Sequence, residues 1–547
     1  MSTLSLHEER IALALAAAAI PPGAHVPGGD EETVKRLEKW IEAGTANQAR
    51  GMRGLLWACE AATIPSTGKP LSKLPRERAE AWLEGWRASS SHARRSLVRA
   101  VLSPIKVAHF DDDTVEKEIG CRTSTSRSLA MVDEEARWSQ QIIDGNHEVD
   151  DLELECDVVV IGSGAGGAAC AYDLASRGRA VVILEEGDFH RRSSFTGKPA
   201  EMSRKLYRDQ GMTIALGNVG IPVWAGKAVG GSTVINSGTC YRASERIFTR
   251  WRNELGLEEY SARSMDPYYA KVEAMLQVAP AKDELTGGIG RVIARGAGAL
   301  GLSHHALARN APDCDGQGVC CFGCPTGAKR STDVSYVPET LKRGGVLVTA
   351  ARAEAFDIES RRVHGVRGRL GRNGRTFHVK AEAVVVAGGA LMTPVLLKRA
   401  GVFKKTPFLG KNLSIHPATK VMATFDETID MSHGIPQGYA VDALAEEGIM
   451  FEGASMPLGL TAVGVPWVGA KFTEMMERYQ NVATFGFMIE DTSRGTVRPG
   501  LGGSPFITYD LNDVDTQKMA RAASILCEIY LAAGARRVAP MLPGFDE

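Results

Sequence analysis

Asp157-Val-Val-Val-Ile161-Gly162-Ser-Gly164-Ala-Gly-Gly167, followed by Val181-Val-Ile-Leu184-Glu185-Glu-Gly187, decides the fold of this chain. Val158 to Ile161 form a short apolar run suited to a strand buried in a parallel sheet. Gly162, Gly164 and Gly167 fit the spacing G-x-G-x-x-G. The first glycine allows a tight turn, the second lets a pyrophosphate approach the backbone, and the third lets helix and strand pack closely. The helix that follows directs its free N–H groups and positive dipole end at the phosphates. Gly178 suits its C-terminal cap. Val181 to Leu184 form a second strand. Glu185 closes it 23 residues after Gly162, where an acid accepts from ribose hydroxyls. An acid there, rather than an arginine, disfavours the 2′-phosphate of NADP. The unit predicts a dinucleotide-binding α/β domain.

The chain of 547 residues has room for several domains. Its formal net charge of −1 leaves no footprint for nucleic acid. No apolar stretch is long enough to span a membrane. Ile11 to Ile20 resembles a signal-peptide core, but Glu8 and Glu9 precede it where positive charge belongs, so it reads as a helix. Six of the ten cysteines, Cys59, Cys121, Cys156, Cys170, Cys240 and Cys527, are scattered and read as small buried residues. The other four are clustered.

Residues 1–110 read as a helical extension. Its apolar stripes are Leu13, Ala17 and Ile20; Val34, Leu37, Trp40 and Ile41; and Ala81, Leu83 and Trp86. Residues 111–152 are acidic and read as a connector. Helix and strand patterns alternate through 250–310 and 420–510, as in an inserted or interleaved second domain. Val384 to Ala387, then Gly388-Gly389-Ala390, then Pro394 to Lys398, repeat the order strand, turn, helix. Gly296-Ala-Gly298-Ala-Leu-Gly301 also matches G-x-G-x-x-G, but a helix precedes it and a strand follows. It reads as a helix C-terminus, so one dinucleotide fingerprint remains.

Three stretches together resemble the glucose–methanol–choline (GMC) oxidoreductase superfamily. They are the opening unit through Gly187, Gly226-Lys-Ala-Val-Gly230-Gly231-Ser232-Thr-Val-Ile-Asn236, and Val386 to Gly401 followed by Leu409 to Pro417. The resemblance covers residues ~155–540. It is nearest to the long-chain fatty alcohol oxidase and dehydrogenase branch, on the Cys-rich run Cys314 to Ser331 and on the helical extension. It implies a Rossmann-like FAD-binding domain with an interleaved antiparallel-sheet substrate domain. The expected parts are FAD binding over 153–250 and 346–418, substrate domain over 251–310 and 419–547, and a Cys-rich loop over 311–345.

By this resemblance Gly162, Gly164, Gly167 and Glu185 hold the ADP half of FAD. Gly230, Gly231, Ser232 and Asn236 lie along the pyrophosphate and ring, and Gly389 and Ala390 approach the adenine. The implied reaction oxidises a long-chain or other apolar primary alcohol to an aldehyde, with hydride passing to flavin N5. A small-molecule alcohol and an electron acceptor (oxygen or a redox carrier) are the expected partners. The expected location is cytoplasmic, with peripheral contact to a membrane.

In this superfamily a C-terminal His-Pro-x-Gly-Thr-like motif supplies the base. Residues 1–547 contain no such motif, and their last histidine is His433. No catalytic residue is assigned. His416 reads as structural or cofactor-adjacent, and His304, His305 and His433 as surface or satisfied groups. The helix expected over about 513–533, with Met519, Ala523, Leu526 and Tyr530 inward, leads to a strand at Arg537-Val538. A truncated frame and a completing polypeptide are both compatible with this pattern. Cys314, Cys320, Cys321 and Cys324 admit three readings: an iron–sulfur cluster, a zinc site, or thiols in a loop over the flavin. An iron–sulfur centre would make the chain an electron-transfer dehydrogenase subunit.

Overall fold

The valine-rich strand of the opening stretch, Leu152–Ile161, lies at the centre of a seven-stranded sheet in the computed structural model, which describes residues 3–121, 138–371, 373–453 and 455–541. From one edge the strands are Ile142–Asp144, Val346–Thr349, Val181–Leu184, Leu152–Ile161, Arg375–Val386, Arg362–Leu370 and Ala351–Glu359. The first five are parallel, and the last two continue as an antiparallel meander. Alternate residues of the central strands serve two cores, as a pleated sheet requires. Val158 and Val160 pack under the helix Ala165–Ser176 with Ala168, Ala171 and Ala175. Val159 and Ile161 face the other way, toward Val366, Phe377 and Val379. The expected α/β nucleotide-binding domain is present.

The interleaved domain is built on a six-stranded antiparallel sheet. Its order is Arg537–Pro540, Ala418–Thr424, Val482–Ile489, Ile449–Glu452, Tyr439–Val441 and His304–Ala306. The helices Gly287–Ala299 and Asp513–Ala532 belong to the same core as one face of this sheet, through Ile293, Leu526 and Tyr530 against Phe451 and Phe485. The second glycine motif ends the first of these helices, with Gly301 left-handed at φ 67° before the strand. A third sheet was not foreseen. It joins Lys411–Leu413, Gly495–Pro499, Pro505–Thr508, Ile214–Leu216 and Ile221–Pro222.

Helices occupy much of residues 6–118, and several open on side-chain caps, such as the reciprocal Ser5–Glu8 and Thr45–Gln48 pairs. Two stripes differ from the sequence reading. In the first helix Ile11, Leu15 and Ala18 are buried, while Leu13 and Ala17 are half-buried. In the helix Arg76–Arg87, Ala79, Trp82 and Leu83 are buried and Ala81 is exposed. An Ala-rich helix offers more than one weakly apolar face, so its neighbours choose the inner one. The connector is partly regular, with a helix Asp113–Glu118 and the edge strand Ile142–Asp144. Its residues 122–137 lie outside the described residues. Of the scattered cysteines, Cys59 and Cys156 are buried and the other four half-buried. Among the described residues no helix is long and apolar enough to cross a membrane.

The helical extension and the six-stranded sheet share one core. Lys106 crosses their junction. Its ammonium donates to the carbonyls of Val465 (3.1 Å) and Trp467 (3.0 Å) and stands 4.0 Å from the Phe472 ring centre. Burial pushes its pKa down from 10.5 to about 7, and the nearby cations Arg87 and Arg99 act in the same direction. Between these values the unfolded chain binds a proton that the folded chain lacks, so this group makes stability rise with pH from about 7 upward. Lys106→Met is expected to flatten that rise in denaturant midpoints measured across the window. An identical pH profile for variant and wild type would refute the junction role.

Candidate cofactor site

The first turn is built by backbone crowding. Gly162 sits at φ 104°, and a Cβ there would lie 2.5 Å from the Ala387 carbonyl oxygen. A Cβ on Gly167 would lie 1.9 Å from the oxygen of Gly162. The two strands that meet here, Leu152–Ile161 and Arg375–Val386, are adjacent, and each leads into a helix. One helix, Ala165–Ser176, packs on the valine face. Leu396 of the other, Gly389–Arg399, packs toward the opposite face. Their N-termini therefore flank a crevice at the carboxyl ends of the strands, where α/β sheets bind ligands. Ala165, Gly166, Gly389 and Ala390 are exposed along it, and a Cβ at Gly166 or Gly389 would meet nothing within 4 Å.

The second glycine stretch closes against the first. Gly231 faces Gly164, where a Cβ on Gly231 would stand 3.0 Å from the Gly164 Cα. Ser163, fully buried, ties the two together. Its hydroxyl donates to Glu185 (2.6 Å) and accepts from the Gly230 N–H (2.9 Å). Glu185 also accepts from the N–H groups of Ser163 (3.0 Å) and Gly187 (2.9 Å). Burial raises the Glu185 pKa, and these donors oppose the rise. The neighbouring Glu186 is half-buried, and Arg208 at 2.8 Å outweighs its desolvation and holds it at about 2.

Ser232 accepts from the Gly226 N–H at 3.0 Å and so fixes the start of its own stretch. Asn236 is held through its backbone, since its carbonyl accepts from the Lys329 ammonium at 2.5 Å. Lys329 is buried and also donates to the carbonyls of Val234 (2.8 Å) and Cys320 (2.9 Å). Thr332 completes the frame, donating to the Ser163 carbonyl at 2.9 Å. Behind it Arg192 and Asp333 form a buried ion pair. Sequence reading missed Ser163, Lys329, Thr332 and this pair. Their signal, polar residues beside glycine and Cys-rich stretches, is indistinguishable from a solvated loop until the fold buries them.

Each of the four clustered cysteines has a polar partner, and Arg309 stands near both Cys314 and Cys320. Cys314 accepts from the Gly316 N–H (3.5 Å), and Cys320 lies 3.4 Å from the Arg309 guanidinium. Cys321 lies 3.4 Å from the Ser237 hydroxyl, and Cys324 takes the Lys329 N–H at 3.4 Å. Among the described residues no group of three or more His, Cys, Asp or Glu side chains could hold a metal ion. The sulfurs thus fit neither an iron–sulfur cage nor a zinc cage. The run acts as a loop that Lys329 fastens to the glycine stretch. The histidines lie apart from this frame: His304 meets the Tyr439 hydroxyl (2.7 Å), His305 meets Asp442 (3.6 Å) and His433 pairs with Asp430. His416 is exposed between two strands.

Residues 159–418 match the family model for GMC oxidoreductases. An uncharacterized GMC-type oxidoreductase of Mycobacterium tuberculosis is 34% identical over 538 residues, covering 96% of this chain and 82% of that protein. The chain belongs to the GMC oxidoreductase family. A long-chain-alcohol oxidase of Arabidopsis thaliana is 27% identical over 418 residues, 71% of this chain but 55% of that protein. Among solved structures, pyridoxine 4-oxidase from Mesorbium loti superposes with a TM-score of 0.52 at 16% identity, over 72% of this chain and 82% of that one. That likeness shows the fold.

Ser163→Ala would leave the Gly230 N–H without its buried acceptor and strip Glu185 of its shortest hydrogen bond. A loss of about 1–3 kcal/mol is expected in denaturant unfolding. A change within experimental error would show that the two glycine stretches do not depend on this hydroxyl.

Proposed function

We propose that this chain is an FAD-dependent oxidoreductase acting on CH–OH donors, with a long-chain or other apolar primary alcohol as substrate. The observation that carries the reading is the crevice between two helix N-termini, lined by Gly164, Gly166, Gly231 and Gly389 and bare of side chains at those positions. Bound FAD would supply the two-electron chemistry, accepting hydride from the alcohol carbon. The chain supplies the rest. The N–H groups at Ala165–Gly166 would donate to the pyrophosphate, as unpaired donors at a helix start can. Gly162 and Gly167 keep the turn tight enough for that approach. Glu185, held by Ser163 and Gly187, closes the end of the second strand where the adenosine ribose would lie. Gly230 to Asn236, pinned by Lys329, would border the ring.

The alcohol class rests on family membership and on the likeness to the plant long-chain-alcohol oxidase. The family's histidine motif is not among residues 1–547. Purified protein is expected to show flavin absorbance, and anaerobic addition of 1-dodecanol is expected to bleach it. Protein that takes up no FAD, or a flavin that long-chain alcohols leave oxidised, would reject the proposal.

A further inference from the structure

The five-stranded sheet packs one face on the helix Gly389–Arg399, through Ala215, Val497 and Ile507 against Leu391 and Val395. The strand register sets out what the other face carries. Arg498 pairs with Phe506, and Ile214 pairs with Pro222. The parallel pairing of Ile507 with Ala215 places Phe506 beside Ile214. Directly paired residues point to the same face, so Arg498, Phe506, Ile214 and Pro222 form one outward row. A second row runs through Lys411, Thr496, Thr508 and Leu216. Phe506, Ile214 and Leu216 are exposed, and the Arg498 guanidinium stands 5.9 Å from the Phe506 ring centre.

Loops extend this face with more apolar side chains. Leu501, at the tip of the hairpin between Gly495–Pro499 and Pro505–Thr508, is 86% exposed. Trp224, just beyond the edge strand Ile221–Pro222, is 61% exposed. Phe403 and Phe408, on the loop that leads into Lys411–Leu413, are 64% and 68% exposed. These two rings border a cavity of about 450 Å³ whose wall also includes Lys411, Val497 and Ala390. Ala390 stands on the rim of the cofactor crevice, so the exposed face and the crevice adjoin. The charges around these side chains have one sign. Segments 212–224, 401–413 and 495–508 hold Lys404, Lys405, Lys411 and Arg498, all exposed, and no Asp or Glu. In the whole chain 64 Lys and Arg face 65 Asp and Glu, so the excess is local. The acids that flank the hairpin are engaged: Asp491 accepts from the Ile415 N–H (3.0 Å) and Asp510 from the Asn218 N–H (2.7 Å).

We propose that this face docks on an anionic lipid surface. Exposed apolar patches of this kind mark interaction sites. A folded partner would need a groove to hold, whereas these side chains project singly from loop tips and a sheet. That arrangement suits the boundary between headgroups and acyl chains, where tryptophan is enriched. The cations ringing the patch meet anionic headgroups. Such docking does not depend on the oxidoreductase reading above, although it would bring the rim of the crevice to the lipid.

The test is sedimentation of the full chain with vesicles of phosphatidylcholine alone, and of phosphatidylcholine mixed equally with phosphatidylglycerol. Binding is expected on the anionic vesicles and is expected to weaken as salt is added. Lys404→Gln with Lys405→Gln is expected to weaken it about 25-fold, from about fivefold per charge. Phe408→Ser with Leu501→Ser is expected to weaken it by about tenfold or more. All four side chains are exposed, so denaturant midpoints should hold. A second readout is tryptophan fluorescence: anionic vesicles should shift the wild-type emission to the blue, and Trp224→Phe should lose most of that shift. Equal binding to neutral vesicles, full binding by either double variant, or a shift that survives Trp224→Phe overturns the assignment. A homodimer that Phe408→Ser with Leu501→Ser dissociates, seen by light scattering, also overturns it by making a second copy the occupant. No readout needs FAD or alcohol, so failure here leaves the oxidoreductase reading standing.

Discussion

Two strands and a helix meet at one turn with no room for a side chain, and the rest of the molecule is arranged around that crowding. Gly162 and Gly167 press on each other and on Ala387, the residue just after the neighbouring strand. Any Cβ there would force the helix off the sheet or the strands apart. The same contact sets the start of the helix Ala165–Ser176, and therefore where its free N–H groups point. The glycine stretch at 226–236 closes on this turn through Ser163, so a buried hydroxyl couples two segments 67 positions apart. Tolerance to substitution should thus be lowest at the junctions of backbone, not at the exposed rim of the crevice.

Further from the turn, the fixed part is a chain of cations in small spaces. Lys329 fastens the Cys-rich loop to the backbone of Asn236, Arg192 holds Asp333 beside it, and Arg208 holds Glu186 at the end of the second strand. Each charge is taken from water and met by carbonyls or a carboxylate. Such groups stabilise only when their geometry is complete, and losing one partner leaves the other stranded. They specify one arrangement of loops around the crevice where apolar contacts alone would allow several.

The parts legible in the sequence were those with a local period. The valine strands, the first glycine turn and the helix Asp513–Ala532 each announce themselves within about 20 residues. The decoy at Gly296–Gly301 could be rejected for the same reason, because its flanks had the reversed order. Features that depend on distant partners were not legible. The inner face of the first helix was misjudged because its alanines are nearly equivalent until Leu71 and Val101 choose among them. The five-stranded sheet escaped notice because its strands are two to five residues long and come from three distant parts of the chain.

The shared core of the helical extension and the six-stranded sheet also bears on how the chain is made. Lys106 finds its carbonyl partners 359 and 361 positions later. At ordinary elongation rates of about 5–20 residues per second, the ribosome needs roughly 20–70 s to supply them. During that interval the inner faces of the first helices have only one another for cover. The extension is thus synthesised well before its partners and completes its packing only after them, which leaves its apolar faces open on the nascent chain.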